Sequence, residues 1–129
     1  MTTETPQNAP PQDAPPQALR HPRREELDLT EILCALADPN RLRVVAALVR
    51  EPPGSVRPYS WFGLPVGKAG RTHHFRVLRE AGLITVEQYG NRTAVSLRRD
   101  DIEARFPGLL SAIRAGTAPD ETPDEPAAL

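Results

Sequence analysis

At Gly82 the hydrophobic pattern of the chain changes period, and that switch constrains the fold more than any other feature. From Lys68 to Ala81 the apolar residues Phe75, Leu78 and Ala81 recur on one helical face. Gly82 then stands where a glycine ends a helix. Beyond it, Leu83–Tyr89 and Arg92–Leu97 read as strand-like runs on either side of Gly90-Asn91. A two-residue Gly-Asn connection between such runs is a hairpin signal. A helix followed at once by a hairpin is therefore the centre of the fold.

The elements upstream are also punctuated. Asp28 followed by Glu31 has the spacing of a capping box, and Leu29, Ile32, Leu33 and Leu36 follow at helical spacing. Asp38-Pro39 reads as an N-cap and first-turn proline, opening a second helix with Leu42, Val45, Ala46, Leu48 and Val49 inward. Pro52, Pro53 and Gly54 stop it. Pro58 opens a short third helix in which Trp61 and Phe62 are expected to anchor the core, and Gly63-Leu64-Pro65 is a turn. A last helix is expected over about Asp100–Ala115, capped by Asp100, broken or kinked at Pro107, with Ile102, Phe106, Leu109, Leu110 and Ile113 apolar.

The expected fold is thus mostly α with a small β-hairpin wing (α+β), in the order α-α-α-α-β-β-α. A helix-turn-helix followed by a two-stranded wing is an architecture suited to lie on duplex DNA. It occupies residues 25–115. Residues 1–24 and 116–129 are expected to be unordered tails. Prolines cluster there among polar residues, and such segments cannot bury enough apolar area to offset their ordering entropy.

The formal net charge is -1, so the chain as a whole does not announce a polyanionic partner. Four acids lie in the C-terminal tail, however, and the charge is uneven. Between Gly67 and Arg99 seven Lys or Arg face only Glu80 and Glu87, a local footprint for nucleic acid. Lys68, Arg71, Thr72, His73, Arg76 and Arg79 are the polar donors of the candidate recognition helix. Residues 68, 72, 76 and 79 share one face at helical spacing. Arginine and lysine recognise guanine edges, while Thr and His reach bases or phosphates. Arg92, beside the hairpin tip, is placed for a minor groove or a phosphate. A solvated basic surface is the plainer reading of the same charges.

His73 and His74 are adjacent and diverge on a helix, which leaves them without the spacing of a helical metal pair. His73 is expected to face DNA and His74 to be buried or orienting. Cys34 is the only cysteine, which excludes an internal disulfide and is expected to be a small buried apolar residue. No nucleophile elbow, phosphate-binding glycine loop or metal pair is found, so no enzyme, no metal and no cofactor are expected. No apolar run is long enough to cross a membrane and no signal peptide precedes the core, so the expected location is cytoplasmic.

Two blocks, Ala35-Leu-Ala-Asp-Pro-Asn-Arg-Leu-Arg43 and Thr72-His-His-Phe-Arg-Val-Leu-Arg-Glu-Ala-Gly-Leu83, resemble the ArsR family of bacterial repressors. The likeness covers about residues 28–113. It implies a homodimeric winged helix-turn-helix protein that binds double-stranded DNA and releases it when an inducer binds. It places DNA-reading positions on Lys68, Thr72, His73 and Arg76. It places the dimer interface on the first and last helices, at Leu29, Ile32, Leu33, Phe106, Leu109, Leu110 and Ile113. The chain departs from the metal-sensing members: Pro58–Phe62 has no cysteine and Asp100–Ala115 no histidine, so any inducer is expected to be a small molecule other than a metal. Gly67, Ala69 and Gly70 replace the hydroxyl residues common at the start of the recognition helix. That predicts a first turn which is loose in the free protein and orders on DNA. The alternative reading is a winged-helix module for protein interaction without specific DNA binding.

Overall fold

The computed structural model describes residues 19–119. The fold is α+β, with five α-helices and one two-stranded antiparallel hairpin. The tail segments at 1–18 and 120–129 lie outside the described residues. The helices are α1 (Leu29–Leu36), α2 (Pro39–Arg50), α3 (Lys68–Ala81), α4 (Arg99–Arg105) and α5 (Leu109–Gly116). The strands are β1 (Ile84–Tyr89) and β2 (Arg92–Leu97).

Local chemistry sets these limits. The Asp28 carboxylate accepts the Glu31 N–H at 3.0 Å and caps α1. The Asp38 carboxylate accepts from Asn40 and Arg41 at 2.9 and 3.1 Å and caps α2, with Pro39 in the first turn. At the end of α3, Gly82 takes φ +90°. Its N–H donates to Arg79 O, and the Leu83 N–H donates to Leu78 O, which closes the helix in a Schellman motif.

The expected third helix is a single 3-10 turn, Tyr59–Phe62, ended by Gly63 in the left-handed region. The expected last helix is two helices. Phe106, preceding Pro107, leaves the helical region at φ -134° and ψ 70°, as a residue before proline does, and Gly108 at φ +93° turns the chain into α5. Helix α4 begins at Arg99 without any side-chain cap, so Asp100 lies in its first turn and does not cap it.

The hairpin register runs from Ile84 opposite Leu97 to Tyr89 opposite Arg92, with Gly90-Asn91 as its loop. Val95 exchanges two backbone hydrogen bonds with Arg57, at 2.9 and 2.8 Å, so it is bonded outward and not to Val86 opposite. Val86 then presents its own N–H at the other edge, where Nε2 of His21 accepts it at 3.0 Å. A loop covers one edge of this small sheet, and an N-terminal arm covers the other. The arm is held further by Pro22 O, which accepts from Arg98, and by Arg20 O, which accepts from Arg79, both at 2.6 Å. Leu19 packs on the core, so the boundary expected near residue 24 falls inside an attached arm.

Ile32, Val44, Val45, Phe75, Leu83, Ile84, Val95 and Ile102 are all fully buried, which joins the first four helices to the hairpin around one core. Leu110 and Ile113 bring α5 onto it.

Candidate nucleic-acid interface

Helix α3 has a sharply divided surface. Phe75 and Leu78 are fully buried. Tyr59 stacks on Phe75 with ring centroids 4.1 Å apart and planes 12° apart, and Phe62 meets the same ring at 5.3 Å. These contacts pin the 3-10 turn to the inner face of α3. From α2, Arg41 donates through Nε to Ala35 O at 2.7 Å and through Nη1 to Nδ1 of His74 at 3.3 Å. One guanidinium thus ties α1, α2 and α3 together, and His74 is an orienting residue in a half-buried position.

The opposite face carries the expected donors. Lys68, Thr72, His73 and Arg76 are exposed. Arg71 is half-buried, with its guanidinium 5.7 Å from the Tyr59 ring centroid. Arg79 does not belong to the set. Its side chain is only 12% exposed, lies 3.8 Å from Glu80 and donates to Arg20 O. The arm supplies an acceptor next to the last turn of α3, and that turns Arg79 away from solvent. At the wing, Tyr89, Asn91 and Arg92 are exposed, and the Tyr89 hydroxyl donates to Glu87.

The start of α3 is bare. Gly67 offers no side-chain cap and no acid stands in the first turn, so its N–H groups are free of carboxylates from their own helix. Gly70 faces Val66: a Cβ there would stand 3.4 Å from the Val66 Cβ, an ordinary contact.

Among the described residues, cations without a partner are concentrated on this surface. All sixteen Lys and Arg lie within the described residues. Carboxylates pair with Arg23, Arg24, Arg57, Arg79 and Arg98. Backbone carbonyls hold Arg41, Arg50, Arg99 and Arg105. The side chains of Arg20, Lys68, Arg71, Arg76, Arg92 and Arg114 hold neither an ion pair nor a hydrogen bond among the described residues, and four of these six belong to α3 or the wing.

The residues expected at a dimer interface divide. Leu29 and Leu33 are 43% and 50% exposed and lie one turn apart on α1. Ile32, Leu110 and Ile113 are buried in the chain's own core, because the phase of their helices turns them inward, and so offer little surface to a second copy. Phe106 and Leu109 are half-buried. Cys34, expected to be buried, is exposed, since the inward face of α1 is taken by Ile32 and Ala35. Trp61, expected in the core, is 41% exposed beneath the Arg57 guanidinium, 4.9 Å from its ring centroid. Phe62 alone fills the core position.

Sequence reasoning missed His21. Burial holds its pKa below the usual imidazole range. Its hydrogen bond to the Leu19 carbonyl opposes that effect, and the charges of Arg79 and Arg98 add to it. Among the described residues no group of three His, Cys, Asp or Glu could hold a metal ion, and no helix is long and apolar enough to cross a membrane. Compared with known protein families and with curated proteins, the chain matches none.

Proposed function

We propose that the protein is a sequence-specific DNA-binding regulator of transcription: a dimeric winged helix-turn-helix repressor of the ArsR kind, released from DNA by a small-molecule inducer. Helix α2, the 3-10 turn and α3 supply the helix-turn-helix, and the hairpin supplies the wing. The observation that carries the reading is the segregation of unpaired cations. Most of the protein's arginines are engaged within the fold, and four of the six cations without a side-chain bond among the described residues lie on α3 and the wing. Unpaired charges on one face repel one another, and a polyanion spanning α3 and the wing relieves that repulsion. In this arrangement Lys68, Thr72, His73 and Arg76 enter the major groove, which is about 12 Å wide. Arg71 and Arg92 flank the groove and hold backbone phosphates. Leu29 and Leu33 join two copies, so the preferred operator is an inverted repeat with half-sites about one helical turn apart.

The test is fluorescence anisotropy of the full chain on its own promoter DNA and on a scrambled duplex, over a salt series. Selective binding with a log-log salt slope of about -1.8 per protomer, from about 0.9 for each phosphate held by Arg71 and Arg92, is the expected result. Weak binding that is equal on both duplexes and insensitive to salt would leave the alternative, a winged-helix module that docks on protein.

A further inference from the structure

Between α3 and the wing lies an open cleft of about 530 Å³, a volume in the range of small-molecule sites. The 3-10 turn contributes Tyr59 and Ser60, α3 contributes Arg71, and the wing contributes Tyr89, Asn91 and Arg92. Two guanidinium groups line this cleft and no carboxylate does. Neither guanidinium has an ion pair among the described residues, and Nε of Arg71 is buried without any hydrogen-bond partner there. A buried donor left unmade in the free protein is a place for an acceptor from outside.

The cleft is also built in advance. The Tyr59 ring is fixed by its stacking on Phe75, with the Arg71 guanidinium 5.7 Å from its centroid. The Tyr59 N–H donates to Oγ1 of Thr93 at 3.0 Å, which ties the 3-10 turn to the wing. The site therefore has fixed aromatic surface, two hydrogen-bonding side chains in Ser60 and Asn91, and a pair of planar cations. Guanidinium matches a carboxylate in a two-pronged geometry, and tyrosine rings accept a flat apolar body.

We propose that this cleft binds a small aromatic carboxylate, its anionic end on Arg71 and Arg92 and its ring against Tyr59 and Tyr89. A DNA phosphate offers part of the same chemistry, without the ring. If α3 and the wing hold DNA as proposed above, the acid neutralises two of the four unpaired cations on that surface and competes with the phosphate backbone. The cleft then serves as the effector site.

The experiment uses the full-length, ¹⁵N-labelled protein at constant ionic strength, with benzoate, its neutral analogue benzamide, and inorganic phosphate as probes. Arginine Nε–Hε correlations are the readout, and Arg71→Gln assigns the relevant signal. Benzoate is expected to shift the Arg71 signal saturably, at least tenfold more tightly than phosphate, and benzamide to leave it unmoved. Arg92→Gln, a change at an exposed tip that leaves folding intact, is expected to weaken benzoate at least tenfold. A benzoate shift that stays linear in concentration overturns the proposal, as does one unchanged in Arg92→Gln. Phosphate binding as tightly as benzoate also overturns it and marks the cleft as a phosphate seat only. Promoter anisotropy separates the two readings. DNA binding without benzoate binding sinks the effector site alone, whereas benzoate binding without DNA binding sinks the regulator alone.

Discussion

Gly82 sits directly against Leu27: a Cβ added at Gly82 would overlap the Leu27 side chain and stand 3.2 Å from Cγ of Pro22. The arm can cross the end of α3 only because residue 82 has no side chain. The backbone there also takes φ +90°, which L-residues rarely adopt. Leu27 is 2% exposed, so it is packed in the core and would have to shift there to make room. Gly82→Ala should therefore combine left-handed strain of about 1–2 kcal/mol with overpacking of about 1–3 kcal/mol. A loss of about 3 kcal/mol in urea unfolding is expected, and a loss under about 1 kcal/mol would show that the arm does not press on Gly82.

The same arm makes stability depend on pH. Nε2 of His21 accepts the Val86 N–H, so the ring is neutral, with its proton on Nδ1 toward Leu19 O at 2.9 Å. Burial, with Arg79 and Arg98 nearby, lowers the folded-state pKa below the unfolded value of about 6.5. The unfolded chain therefore takes up the proton first. The stability that His21 contributes is complete above about pH 6.5 and is lost as pH falls through the lower folded value. Unfolding midpoints at pH 7.5 and 5.5 should differ more in the wild type than in His21→Gln, and the Val86 amide should lose exchange protection over the same interval. Equal pH dependence in both proteins would rule out this role.

Asp101 adds a second, more acidic window. Its hydrogen bond from Arg24 at 2.7 Å, with a further one from Arg98, holds its carboxyl below the usual range against the opposing effect of partial burial. Stability from this pair is present above about pH 4 and is lost as pH falls through the depressed value. Asp101→Asn should cost about 1 kcal/mol at pH 7, since the pair is partly solvated. The cost should shrink toward zero near pH 2. A cost that stays constant over that range would mean that Asp101 acts by shape alone.

Much of this structure was legible in the sequence because particular residues punctuate it. Asp28, Asp38-Pro39, Gly82 and Gly90-Asn91 each leave one local conformation favourable, and the helices and strands begin or end there. The exposure of Lys68, Thr72, His73 and Arg76 followed from helical spacing once Phe75 and Leu78 defined the inner face. The misreadings share a different cause. Trp61 and Phe62 lie in a 3-10 turn, where successive side chains diverge by a third of a turn, so only one of the two reaches the core. Arg79 finds its acceptor 59 residues away. His21 lies in a proline-rich stretch, and nothing local marks it as the cap of a strand edge 65 residues later. Partners this distant in sequence are set by tertiary packing, which periodicity does not encode.

Arg76 is exposed and makes no bond to the rest of the protein among the described residues. Arg76→Ala should leave the thermal midpoint within about 2–4 °C, since substitutions at such surface positions usually fall within about 0.5 kcal/mol. Affinity for the promoter should fall by about 1–3 kcal/mol, roughly five- to 150-fold, with relaxed preference at one base position if the guanidinium reads a base edge. If it holds a phosphate instead, all sequences weaken alike and the salt slope drops by about 0.9. A collapsed thermal midpoint would refute the surface assignment, and unchanged affinity would remove Arg76 from the interface.

Leu29 and Leu33 provide the test of assembly. They lie one turn apart on α1 at 43% and 50% exposure, and Cys34 is exposed beside them. Two large apolar side chains on one short helix gain about 1.5–3 kcal/mol each when fully buried, and a second copy of the helix provides that burial. In sedimentation equilibrium the wild type should weigh twice the chain mass of 14.2 kDa, while Leu33→Glu should weigh one chain, because two carboxylates cannot be buried facing each other. The thiol, next to Leu33 in sequence but about 100° round the helix from it, reports on the rim of that face. Cys34 should react slowly with a disulfide reagent in the dimer, and faster when dilution or Leu33→Glu opens the interface. A wild-type chain that sediments at 14.2 kDa, with a thiol that reacts at the same rate in both proteins, would mean that α1 is an exposed surface and that the DNA face works as a single copy.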